Sequence, residues 1–257
     1  MIPDYSHITE TPGLKASEDQ FDKTYHRYHF ARQFSIDKEV LEIACGSGMG
    51  LGYLAKAAKT VTGGDIDEKN LSFARKHYTN RENISVLHLD AHQLPFPNEN
   101  FDTIILFEAI YYLEKPEKFI EESYRVLRKN GTIIIGTVNK EWDDFHISPF
   151  SKKYFSAKEL YQLLKNKFNA VKIYGAFPIE KGLKAGVISF IKQFAIRLNL
   201  IPGGLKARGY LKRIFMGKLI DLPAELEDNS ISFSEPVELP VNAVIKEYKI
   251  LYAVATR

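Results

Sequence analysis

The sequence predicts an α/β protein, doubly wound about a mostly parallel sheet. Three observations carry that expectation. Short β-branched runs recur between Val40 and Val138, apolar at successive positions rather than alternate ones, as in strands covered on both faces. Stretches of helical periodicity separate these runs. A turn with four glycines, "CGSGMGLG" (45–52), follows the first run directly, and glycines in such a place let backbone approach a ligand.

The elements follow in order. A helix over 17–34, "SEDQFDKTYHRYHFARQF", lies within an N-terminal helical cover of residues 1–35. Val40–Ala44 reads as the first core strand and Gly50–Ala58 as a helix. "TVTGGD" (60–65) is a second strand, followed by helical "EKNLSFARKHY". "ISVLHLD" (84–90) and "FDTIILF" (101–107) are the third and fourth. The next helix opens on Pro116 and takes Gly131 as its stop signal, before the fifth strand "TIIIGTV" (132–138). A helix from Ser156 to Phe168, a strand over 170–177 and a last strand within 244–257 complete a core assigned to 36–180 and 241–257. Residues 181–240 are left as a basic helical insertion followed by an acidic loop.

Composition narrows the function. With 257 residues, 45% hydrophobic and 26% charged, the chain has material for a large globular core. A net charge of +3 is too small to argue for nucleic acid as a partner. Cys45 is the only cysteine, so no internal disulfide forms, which fits a reducing compartment. No secretory leader and no bilayer-length apolar run are visible, so the expectation is a cytoplasmic protein. Neither "HRYH" nor the scattered acids have zinc-ligand spacing, and no metal is expected.

The glycine turn does not read as a phosphate site. A phosphate loop needs Lys-Ser or Lys-Thr after its last glycine, and here Leu51, Gly52 and Tyr53 follow. A dinucleotide turn needs G-x-G-x-x-G. Counting from Gly46 or Gly48 ends on Leu51 or Tyr53, and the register Gly50, Gly52, Ala55 begins inside the helix. The acidic residues say more. Asp65 and Asp90 end the second and third strands, where ligands of open α/β sheets sit, and Glu42 lies beneath the turn. A carboxylate at the second strand end suits a ribose diol, and one at the third suits an adenine amine. Together the three favour a cationic nucleoside over a pyrophosphate. The alternative is that Asp65 and Asp90 merely cap helices or turns.

The successive stretches "VLEIACGSGMG", "VTGGDID", "LDAHQLPFPNENFDTIILFEAIYYL" and "FIEESYRVLRKNGTIII" resemble, in order and spacing over residues 38 to 138, the class I S-adenosylmethionine-dependent methyltransferases. The resemblance implies a Rossmann-like seven-stranded sheet with an antiparallel last strand, and S-adenosyl-L-methionine as cofactor. It places Glu42 and the backbone of Ala44, Gly46 and Gly48 around the methionine part. Asp65 takes the ribose hydroxyls, with Ile66 against adenine. Asp90 and the Ala91 amide meet the adenine edge, and the Phe107 carbonyl faces the methionine amine. Arg27 in "HRYHFAR" would either clamp the methionine carboxylate or lie on a solvated helix face.

The acceptor is expected to be a small molecule. "TPGLKASEDQFDKTYHRYHFAR" and "FHISPFSKKYFSAKEL" are similar to bacterial methyltransferases of glycan and sugar biosynthesis, which favours a sugar or glycan precursor. Those relatives carry Glu-His after the fourth strand, where this chain has Tyr111-Tyr112. The histidine base is therefore replaced, and His146 and Tyr112 become the catalytic candidates, with Glu108 as another proton acceptor. A lipid or quinone-like acceptor at a membrane surface, and a non-catalytic cofactor-binding role, stay open. Residues 181–218 contain nine Lys or Arg and no Asp or Glu. Three uses fit them: an accessory helical pair packed on the core, a cationic lid over an anionic acceptor, and peripheral contact with an anionic membrane.

Overall fold

The computed structural model describes residues 10–148, 150–179, 219–228 and 233–257. The basic stretch 181–218 lies outside the described residues. In chain order the elements are β1 (Lys15–Ser17), α1 (Glu18–Arg32), β2 (Glu39–Ile43), α2 (Leu51–Ala55), β3 (Thr60–Asp65), α3 (Glu68–His77), β4 (Ile84–His88) and β5 (Phe101–Phe107). They continue with α4 (Pro116–Val126), β6 (Leu127–Val138), α5 (Ala157–Lys165), β7 (Ala170–Pro178), β8 (Leu219–Asp221), β9 (Val237–Glu238) and β10 (Tyr248–Thr256). A single 3₁₀ turn, Ile110–Tyr112, follows β5.

The main sheet runs β4-β3-β2-β5-β6-β10-β7-β9. Strands β2 to β6 pair in parallel, and β10 runs antiparallel to both β6 and β7. The seven-stranded sheet with an antiparallel last strand is thus present, and β9 adds a two-residue edge. A separate two-stranded ribbon pairs β1 with β8, unforeseen because three-residue strands carry no periodicity.

Apolarity on successive positions translates into two cores. Leu41, Ile43, Ile104, Leu106, Ile133 and Ile135 point to the face covered by α4 and α5. Val40, Ile105, Phe107 and Ile134 point to the face covered by α1, α2 and α3. The period-2 pleat of a doubly covered sheet produces this division.

Helix starts follow their local chemistry. Ser17 accepts from the Gln20 amide, Asp67 from the Lys69 and Asn70 amides, and Ser156 forms a capping box with Glu159. Each such cap contributes about 1 kcal/mol. One boundary differs from expectation. Helix α4 ends at Val126 because Leu127 already pairs with Phe101 in the sheet. Gly131 therefore sits inside β6, beside an irregularity in register and next to Asn130 at φ +62°, rather than stopping a helix.

Candidate functional site

A cavity of about 550 Å³ opens at the carboxyl ends of β2, β3, β4 and β5, where the strand order reverses on either side of β2. Such a switch point is where open α/β sheets bind ligands. The glycine turn forms one wall. Ala44, Gly46 and Gly48 have φ of +57°, +56° and +80°, so the chain twists through three left-handed residues in five. Ala44 and Gly46 line the cavity, but Gly48 does not. A side chain on Gly48 would come within 2.8 Å of Ala74 Cβ, so this glycine serves the packing of the turn onto α3. Gly50 serves α1 in the same way, since a Cβ there would lie 1.9 Å from the Tyr28 ring.

That approach of α1 brings the Tyr28 hydroxyl to Glu42, to which it donates at 2.5 Å. Glu42 is 1% exposed, and its other oxygen, Oε2, is buried with no hydrogen-bond partner among the described residues. Burial pushes its carboxyl up to about 7, with Asp65 and Glu10 adding to the rise and Tyr28 and Arg27 opposing it. Arg27 is not on a solvated face: its side chain is 13% exposed and its Nη2 meets Glu10 Oε2 at 2.5 Å. The guanidinium lies over the Tyr28 and Phe107 rings, 5.5 and 6.0 Å from their centroids. Its Nε is also buried without a partner.

Asp65 accepts from the Gly46 amide at 2.8 Å and from the Asp67 amide at 2.9 Å. The side-chain cap of α3 is Asp67, which leaves Asp65 joining the turn to the tip of β3. Burial raises the Asp65 carboxyl above its ordinary range, with the backbone donors opposing. Each oxygen keeps a lone pair for a further donor. Asp90 is more exposed. Burial alone would raise it, but the His92 amide and ring, at 2.8 and 2.7 Å, hold it below the usual carboxylate range. His92 Nε2 accepts from the Lys115 amide at 3.3 Å, so Nδ1 carries the proton donated to Asp90. Ile66, Ala91, Phe107 and Tyr112 line the same cavity. His146 does not. It is exposed in the loop after β6, which is drawn toward the segment before β10 by the Lys246–Asp143 and Ile245–Glu141 contacts.

Sequence reasoning missed Tyr28 and Glu10. Tyr28 adjoins Arg27, but only the tertiary approach at Gly50 shows that it reaches Glu42. Glu10 binds Arg27 and Thr24 through its carboxylate and Ser47 through its carbonyl. Nothing local in the sequence marks it.

The two orphaned atoms test the cofactor. An α-amino acid carries an ammonium that would donate to Glu42 Oε2 and a carboxylate that would accept from Arg27 Nε. Asp65 has lone pairs for a ribose diol, and Ile66, Leu89, Asp90 and Ala91 offer an apolar slot with a polar edge. The residues present therefore fit S-adenosyl-L-methionine. The ionised form of Glu42 is the one an ammonium favours, so binding of the cofactor or its demethylated product is expected to weaken as pH falls through about 7. Titration calorimetry at pH 8 and pH 6 should show a loss of roughly tenfold. A flat profile would mean that Glu42 does not face the ammonium.

The fold and site define an α/β domain whose cavity residues fit an amino acid joined to adenosine. A family model described as a methyltransferase domain matches residues 41–135. A probable S-adenosylmethionine-dependent methyltransferase of Mycolicibacterium smegmatis is 29% identical over 158 residues, covering 60% of each chain. A fatty-acid O-methyltransferase of the same organism is 32% identical over 146 residues, covering 54% of this chain and 53% of the relative. The match thus spans between about half and 60% of the curated relatives' length. Among solved structures, a methyltransferase of Thermotoga maritima, described as a possible histamine N-methyltransferase, shares the fold with a TM-score of 0.55 at 18% identity, covering 93% of this chain and 97% of that one. Residues 41–135 thus match a methyltransferase domain, and the curated relatives support a class I S-adenosylmethionine-dependent methyltransferase family.

Proposed function

We propose that the protein transfers the methyl group of S-adenosyl-L-methionine to a small-molecule acceptor at the cavity mouth, beside Glu108, Tyr111 and Tyr112. The observation that carries this reading is that Glu42 and Arg27, which line one cavity, each keep a buried side-chain atom, Oε2 and Nε, without a hydrogen-bond partner among the described residues. When bound, the cofactor supplies an activated methyl group on a sulfonium. The protein's part is to align a nucleophile with it and to keep water away. Tyr28 and Arg27 orient the amino-acid end, Asp65 the ribose, and Asp90 with the Ala91 amide the base.

The lining also bears on the acceptor. Tyr111, Tyr112, Leu113, Val138 and Ile250 belong to it, and Gln20 is the one carboxamide among the described lining residues. This supports an acceptor with an apolar body, of the lipid or quinone-like kind, over a sugar that would call for many polar partners. The name of the fatty-acid O-methyltransferase relative points the same way. Among the described residues no helix is long and apolar enough to cross a membrane.

Calorimetry with the cofactor and with S-adenosylhomocysteine should give one saturable site. Incubation with methyl-labelled cofactor and separated lipid and polar extracts should then label the lipid fraction. Binding with no transfer to either fraction would favour a non-catalytic role. Binding of a nicotinamide dinucleotide in place of both compounds would sink the reading.

A further inference from the structure

We propose that Glu108 is the general base of this site and that the acceptor offers it a neutral hydroxyl. The inference rests on the methyltransferase reading above. Glu108 is the first residue beyond β5, and its backbone is left-handed at φ +50°. That conformation is uncommon for a residue with a side chain. Its amide is nevertheless fixed to the Gly136 carbonyl at 2.8 Å. The departure from the strand direction sets the residue in the cavity wall, next to Tyr111.

The carboxyl is oriented but not used up. The Tyr111 hydroxyl donates to Oε2 at 2.9 Å, and burial keeps that phenol protonated by pushing it well above its ordinary range. Oε1 has no hydrogen-bond partner among the described residues. The other acidic groups of the cavity are committed. Asp65 holds two backbone amides, Asp90 holds His92, Glu10 holds Arg27 and Thr24, and Glu114 pairs with Lys152. Glu42 lies at the amino-acid end beside Tyr28. The one imidazole in the lining, His92, has both nitrogens engaged. Glu108 thus has a free oxygen, a donor that orients it and a place in the cavity wall.

Its charge environment suits a proton acceptor. Burial raises its carboxyl above the ordinary glutamate range, and Glu10 adds to the rise, while Arg27, Tyr111 and Lys23 draw it back. Tyr252 also feels its charge, burial raising the Tyr252 hydroxyl above its ordinary range and Glu108 adding to the rise. A carboxylate made more basic is matched to general base work. It also selects the acceptor. A pre-ionised carboxylate needs no base and would be repelled by Glu108, whereas a neutral alcohol or phenol needs the base and is attracted as a hydrogen-bond donor. In the step, the acceptor oxygen bonds to the methyl carbon as the carbon–sulfur bond breaks. The electron pair of that bond stays on sulfur and cancels its positive charge. The hydroxyl proton passes to Glu108 Oε1, which becomes a neutral acid and releases the proton to solvent at the mouth.

The test uses the full chain with methyl-labelled cofactor and a detergent-dispersed panel of long-chain alcohols, phenols and hydroquinones, each with its matched carboxylic acid. Methylation of hydroxyl compounds with the acids inert is expected. Glu108→Gln should lower kcat on the best hydroxyl probe by about 10²–10⁴-fold, with S-adenosylhomocysteine affinity within about twofold of the parent. Glu108→Asp should recover part of the rate. Tyr111→Phe should move the acid limb of the kcat/KM profile upward, since the carboxylate loses its donor. Three results would overturn the proposal: methylation of the acids in preference, hydroxyl transfer unchanged in folded Glu108→Gln, or no transfer to any hydroxyl probe by wild-type protein that binds S-adenosylhomocysteine. Failure of the wild type to bind S-adenosylhomocysteine would instead overturn the methyltransferase reading on which the proposal rests.

Discussion

Arg27→Ala is expected to lower the unfolding free energy by about 3–5 kcal/mol, the usual cost of removing one partner from a buried ion pair. The guanidinium is 13% exposed and Glu10 opposite it 18%, so water cannot restore what the pair loses. The same deletion strips the cation that draws the Glu42 and Glu108 carboxyls down, so both should rise further. Cofactor affinity should fall as well, because Nε is the buried donor assigned to the methionine carboxylate. Arg27→Lys keeps the charge but not the planar fork, and should recover stability more than affinity. Urea titration followed by calorimetry on the folded variant measures both. A stability loss under about 1 kcal/mol with unchanged affinity would place Arg27 outside the machinery of the site.

Asp65→Ala should weaken cofactor binding by about 1–3 kcal/mol, a factor of roughly 5 to 150, through lost charge-assisted hydrogen bonds to the ribose. Part of the effect is indirect. The carboxylate also receives the Gly46 and Asp67 amides, so its removal loosens the turn that walls the methionine end. Asp65→Asn separates the two contributions. It can still accept from one amide, and should keep more of the turn than of the ribose affinity. Calorimetry with S-adenosylhomocysteine reads the affinity, and unchanged binding in a folded variant would remove the ribose assignment.

Legibility in the sequence tracked the range of the interaction. The strand-end carboxylates and the glycine turn were readable because each depends on a few adjacent residues and on the sheet's alternation. The antiparallel closing strand was readable through the family resemblance. Contacts formed by approach in space were not. Tyr28 meets Glu42 only because α1 crosses the turn at Gly50, where a side chain would collide with its ring. His146 looked suitable because its loop follows β6, yet Asp143 and Glu141 tie that loop toward residues 245 and 246. Gly131 read as a helix stop because the local pattern could not show that Leu127 had already joined the sheet. In each case a tertiary partner outweighed the local signal.

The ribbon of β1 and β8 has a consequence for the order in which the protein assembles. It joins residues 15–17 to residues 219–221, with further main-chain links from Gly13 to Leu222, from Leu222 to Leu14 and from Leu226 to Met49. Closing a loop across so much chain is entropically costly and slow. During synthesis the far strand leaves the ribosome only after the sheet from β2 to β7 has emerged. The parallel half can therefore form first, open on the side that receives the nucleoside, and the strap bearing Glu10 is fastened late. Competence to hold the cofactor should accordingly rise in the final stage of refolding, behind the bulk of the secondary structure.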